Sequence, residues 1–142
     1  MLIEKMITEA RFDIFTNAQI KESDIKYLAK KLEEEQRINL TEFLDMTKCS
    51  TKSCWKNFLS VIKHFSYRNR FRCMDVLFTF LQDANWPVYD DTVDFLCSFD
   101  EADILSYIGL YLEKAHERKD EIWEENIYHL INRLGVEALN LP

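Results

Sequence analysis

Glycine and proline each occur only twice in 142 residues. So few backbone breakers exclude a turn-rich β-sandwich, a collagen-like chain, a glycine-rich phosphate loop and a flexible linker. Long apolar runs are missing too. Nothing approaches the roughly 18 consecutive apolar residues that span a bilayer. The opening MLIEKMITEA reaches Glu4 and Lys5 before the roughly 7–15 apolar residues of a signal peptide can accumulate. The expected compartment is the cytoplasm, where the four cysteines stay reduced. Positive charge is also in deficit: 18 Lys/Arg against 25 Asp/Glu leave a net −7, which argues against general nucleic-acid binding.

What is present is a folded chain of ordinary domain size, 47% hydrophobic and 30% charged. Apolar residues recur at helical spacing nearly everywhere, and strands find no comparable support. Helices are expected over residues 2–15, after Ser23 (Ile25, Leu28, Ala29, Leu32), from Thr41 (Phe43, Leu44, Met46), and beyond a cap at Ser50 or Thr51 (Trp55, Phe58, Leu59, Ile62, Phe65). A strongly apolar central helix is expected over 70–83. Another opens with Pro87 in its first turn and runs to about Phe99. The next starts at a cap on Asp100 or Asp103, and the last covers about 120–134, with Gly135 as a left-handed C-cap. The fold class is therefore all-α, read as one domain over 1–142. The pairs 70–99 and 103–135 suit a short HEAT-like stack of antiparallel helix hairpins, or an irregular helical bundle.

Charge divides the chain. Residues 1–70 hold 13 Lys/Arg and 10 Asp/Glu, net +3, whereas residues 71–142 hold 5 and 15, net −10. No Lys or Arg stands between Arg72 and Lys114, a stretch with nine carboxylates. Solvated helices usually mix both signs, because like pairs one turn apart repel. Such a bias fits a partner with a basic surface. Part of it has a local cause, since Asp90, Asp91 and Asp94, and then Asp100, Glu101 and Asp103, gather at expected helix starts, where the helix dipole favours anions. Asp83 lies just before, and Trp86, Tyr89 and Tyr107 are interleaved as aromatic anchors of the kind protein interfaces use. These ten residues are the candidate partner-binding set.

Other chemistry finds less support. Asp90-Asp91-Thr92-Val93-Asp94 reads D-D-x-x-D, a magnesium–diphosphate spacing, but a second metal motif is lacking. Cys49 and Cys54 form C-x4-C without two further ligands at zinc spacing. None of His64, His116 and His129 stands beside a plausible nucleophile. Lys63, Arg68, Arg70 and Arg72 with Tyr67 and Phe71 form a short basic edge, expected to pair with the protein's own carboxylates. No enzyme, cofactor, metal, nucleic acid or membrane is expected.

One segment carries a likeness. Phe80-Leu-Gln-Asp-Ala-Asn-Trp-Pro-Val88, followed by an amphipathic helix, resembles the helix–LQDxNWPV–helix signature of a bacterial HEAT-like domain family of undefined function. It covers about residues 71–135, and its specific positions are Leu81, Gln82, Asp83, Asn85, Trp86, Pro87 and Val88. That family is similar in outline to small helical immunity proteins that bind and inactivate a cognate bacterial toxin. The resemblance implies a helical-repeat fold and, beyond it, immunity function, and the acidic residues then point to a basic, nuclease-like toxin. The alternative is a helical scaffold or regulatory module with another protein partner.

Overall fold

The computed structural model describes residues 2–35 and 37–136. Among them all regular structure is helical, as the apolar spacing requires. The chain divides into two compact units, Met1–Val76 and Leu77–Pro142.

The first unit starts with α1 (Leu2–Met6), which buries Ile3 and Met6. The helix expected over 2–15 stops there. Thr8 Oγ1 donates to the Lys5 carbonyl at 2.6 Å. The Asp13 carboxylate accepts from the Phe15 and Thr16 N–H groups and from the Thr16 hydroxyl. These short polar side chains offer the backbone local partners that compete with a helix, and only a 3₁₀ turn, Ala10–Phe12, follows. Helix α2 (Glu22–Glu34) buries Ile25, Leu28, Ala29 and Leu32 as its spacing demands. It begins at Lys21 rather than at a Ser23 cap, with Glu22 and Asp24 in its first turn complementing the dipole. Helix α3 (Leu40–Phe43) is capped by Asn39, whose side chain accepts from the Thr41 and Glu42 N–H groups. Thr41 thus lies inside the helix, and its hydroxyl donates to the Arg72 carbonyl.

Helix α4 (Trp55–Lys63) puts Phe58, Leu59, Val61 and Ile62 into the core. Its buried Asn57 donates to the carbonyls of Ile14 at 3.1 Å and Asn17 at 2.8 Å, fastening the loop that replaces the missing helix. Glu33 of α2 accepts from the Ser66 N–H at the start of α5 (Tyr67–Arg70). The Arg70 guanidinium turns back onto the carbonyls of Lys63 and Phe65. The central helix expected over 70–83 is shorter: a 3₁₀ turn, Phe71–Cys73, then α6 (Met74–Thr79).

The second unit holds α7 (Tyr89–Cys97), α8 (Glu101–Glu117) and α9 (Glu121–Leu134). The three-residue connection between α8 and α9 makes them antiparallel and places Lys119 in the left-handed region at φ 55°. Asp120 caps α9 by accepting from Trp123 N–H, and Gly135 at φ 72° ends it in the left-handed C-cap. Phe78 stacks on Tyr111 with centroids 4.4 Å apart, and Trp123 closes over Tyr111. Trp123 Nε1 donates to the Phe78 carbonyl at 2.8 Å, and Asn126 Nδ2 to the Leu81 carbonyl at 2.7 Å. The Phe78 carbonyl also accepts from the Leu81 N–H at 3.1 Å, so Trp123 adds a second donor there, whereas Asn126 gives Leu81 the donor that a continued α6 would supply. Farther along α9, His129 meets Tyr89 and Arg133 meets Asp94. Helix α9 therefore runs parallel to α7 and meets Phe78, Leu81, Tyr89 and Asp94 in sequence order.

Replacing Asn126 with leucine leaves the Leu81 carbonyl buried without its donor, which costs about 1–3 kcal/mol. The expected reading is a lower urea midpoint with an unchanged slope. An unchanged midpoint would show that Asn126 does not hold this carbonyl.

Candidate functional site

The ten candidate residues all belong to the second unit. Asp83 is half-buried, and its carboxylate accepts from the Asn85 N–H at 2.8 Å, an Asx turn that aims the chain into the next helix. Trp86 N–H donates to the Asp83 carbonyl, and Tyr89 N–H to that of Trp86. Pro87 and Val88 complete this turn, so α7 opens at Tyr89 and not at Pro87. Trp86 is half-buried.

Tyr89 does not supply the surface contact expected of it. It is 3% exposed, and its hydroxyl lies 3.0 Å from His129 Nδ1. Burial pushes its phenol pKa up, with Asp90 and Glu125 adding to the effect. Asp90 and Asp91 are exposed in the first turn of α7 and make no ion pair within the described residues. Asp94 is already matched. Arg133 Nη2 donates to its Oδ1 at 2.6 Å, and the hydrogen bond and charge of Asp94 raise the Arg133 pKa.

Asp100 caps α8 through the Ala102 N–H, with exposed Glu101 and Asp103 in the first turn. Tyr107 is half-buried one turn on, and Leu110 beyond it is 46% exposed. The acidic residues fall into two groups at opposite ends of α7. Asp90 and Cys97 are separated by seven helical steps, so the groups stand about 10 Å apart along that axis. One protein footprint can cover both, but they do not converge on a point as metal ligands would.

The other chemistry of the chain is equally committed to structure. Among the described residues no group of three His, Cys, Asp or Glu side chains stands ready to hold a metal ion. All four cysteines are free. Burial drives the Cys73 thiol up to about 12, and burial with Cys54 beside it does the same to Cys49. Tyr67 packs edge-on against Phe71, and Arg70 donates to the backbone carbonyls of Phe65 and Lys63. No helix of the described residues is long and apolar enough to cross a membrane.

Sequence reasoning missed two features. Arg133 and His129 reach α7 from a helix 40 residues away, and the one available signal was their i,i+4 spacing on α9. The second is a groove of about 640 Å³ in the first unit, along α2, that His64 joins from the end of α4.

Stability should respond to alkali through the buried acids. A thiol with a folded pKa near 12 and an ordinary value of 9.0 contributes stability that is complete below pH 9 and lost as pH climbs toward 12. Tyr89 acts in the same direction above pH 10. The urea midpoint of a Cys73→Ala variant should therefore fall less between pH 9 and 11 than that of the unaltered chain. Parallel declines would contradict this assignment. No protein-family model, curated protein or solved structure matches the chain, so the meaning of the site rests on its own geometry.

Proposed function

We propose that this chain is a non-enzymatic protein-binding module whose second unit engages a basic protein surface. The narrower reading is an immunity protein that occupies the cationic cleft of a nuclease-like toxin. The observation that carries it is the first turn of α7, where Asp90 and Asp91 face solvent without an ion pair, in a stretch of 41 positions free of Lys and Arg. Arg133 reaches Asp94 and its charge also acts on Asp90, and what acidic excess remains at the helix start adds its field to long-range attraction, an effect that raises encounter rates with cationic partners by about ten- to a thousandfold.

The contact is assigned to Asp90 and Asp91, with Asp100, Glu101 and Asp103 as a second acidic group. Trp86, Tyr107 and the exposed Leu110 supply the apolar element in place of Tyr89. Asp94 contributes less, because Arg133 screens it. Asp83 shapes the turn rather than meeting the partner. The LQDxNWPV-like segment supports the immunity reading by likeness alone. A scaffold or regulatory module would use the same face on a different basic protein.

Reversing Asp90 and Asp91 to lysine should leave the helical circular dichroism unchanged. It should slow association with the cognate partner by about tenfold or more at low salt, with the difference shrinking as salt rises. The partner to use is the product of the reading frame beside this one in the native host, co-expressed with the chain. Association rates indifferent to both reversal and salt would overturn the proposal. Rescue of growth from a toxic neighbour would separate immunity from scaffolding.

A further inference from the structure

From the first unit we infer a separate interaction surface: the outer stripe of α2 pairs weakly with the same stripe of a second copy of this chain, turned end for end. The stripe lines the groove beside α2 with charges of both signs. Lys26 and Lys30 lie in the N-terminal half of the helix, and Glu33 and Glu34 in its C-terminal half. Tyr27 stands among them, 48% exposed.

The order of those charges selects the occupant. A polyanion is attracted by the two lysines but repelled by the two carboxylates, and a polycation meets the reverse. A matching surface must set carboxylates opposite Lys26 and Lys30 and ammonium groups opposite Glu33 and Glu34. A second α2 does both once it is inverted, because a two-fold axis makes one patch its own complement. With the axis crossing the helix near Lys30, Lys26 of each copy faces Glu34 of the other. Lys30 then lies one turn from Glu33 of the second copy, within reach of its long side chain. Inversion also sets the two helix dipoles head to tail.

The groups involved are available for this pairing. Lys26, Lys30 and Glu34 are exposed. Glu33 accepts from the Ser66 N–H and from Asn69, neutral donors that fix its carboxylate and leave its charge in place. Glu34 lies 3.4 Å from Lys31 of its own helix, a surface contact that holds it only weakly.

The aromatic ring supplies the apolar centre. Phe12 backs Tyr27 at 5.7 Å between centroids, and the Lys31 ammonium sits 5.4 Å from the ring centre. The ring is thus held from within the unit while its outer part stays open. In the inverted pair it lies one turn from Lys30 of the second copy, whose alkyl stem and ammonium both suit an aromatic surface. Tyrosine is a residue type that anchors interfaces. The contact is short, since thirteen residues of helix extend about 20 Å. It falls below the roughly 800 Å² per partner of a standard interface, which makes the dimer a weak one.

The test is sedimentation equilibrium of the full chain at low salt, from micromolar to millimolar concentration. A monomer–dimer equilibrium is expected in the upper part of that range. K26E and E34K should each weaken it by about tenfold or more, because each sets like charges across the axis. Mixing the two variants should restore association as a heterodimer, and the double variant K26E/E34K should pair as the unaltered chain does. Y27A should weaken the dimer with the helical circular dichroism unchanged. A chain that stays monomeric at millimolar concentration would overturn the inference. So would a dimer indifferent to K26E and E34K, which is then built on another face, or a mixture of those variants that fails to associate.

Discussion

A backbone carbonyl taken out of water without a donor costs as much as several good contacts supply. Both units meet that constraint in the same way. In the first, Asn57 of α4 carries donors to Ile14 and Asn17; in the second, Trp123 and Asn126 of α9 carry them to Phe78 and Leu81. Each time a late helix closes an irregular segment about 40 residues earlier, and among the described residues no buried side-chain nitrogen or oxygen is left unmatched. Glycine and proline are scarce, and these side-chain donors satisfy irregular backbone that turn residues would otherwise shape. Asn39, Asp45, Asp100 and Asp120 do the complementary work at helix starts.

That division explains what the sequence made legible. The all-α class, the buried faces of α2, α4, α8 and α9, the Asp100 cap and the Gly135 terminus all follow from local spacing or local chemistry. The short α1 and the early end of α6 do not, because their limits are set by competing hydrogen bonds. At α1 the competitors are Thr8 and Asp13, which were readable but outweighed by the apolar spacing. At α6 they come from α9, which no local pattern announces.

The candidate site divides similarly. Exposure of Asp90, Asp91 and Glu101 follows from helical phase. The burial of Tyr89 does not, since it depends on α9 bringing His129 alongside, and neither does the loss of Asp94 to Arg133. The aspartates at 90, 91 and 100 also serve their own helices, as N-terminal anions and as a cap. Local stability and an acidic recognition face thus ask for the same residue types at the same places. The groove on α2 was invisible for another reason: its lysines read as an ordinary wetted face until His64 is brought to its edge.

The position of α9 has a consequence for how the molecule is made. The partners that Asn57 fastens precede it in the chain, and the first unit is complete by Val76. In the second unit, the Leu81 carbonyl must wait for Asn126 to be synthesised, and Phe78 for the Trp123 that covers it. Chains fold vectorially, and distant closures are slow because loop entropy is lost before contacts repay it. A nascent chain that has emerged only as far as α8 therefore presents a finished N-terminal unit and, behind it, an apolar segment still open to water and to chaperones.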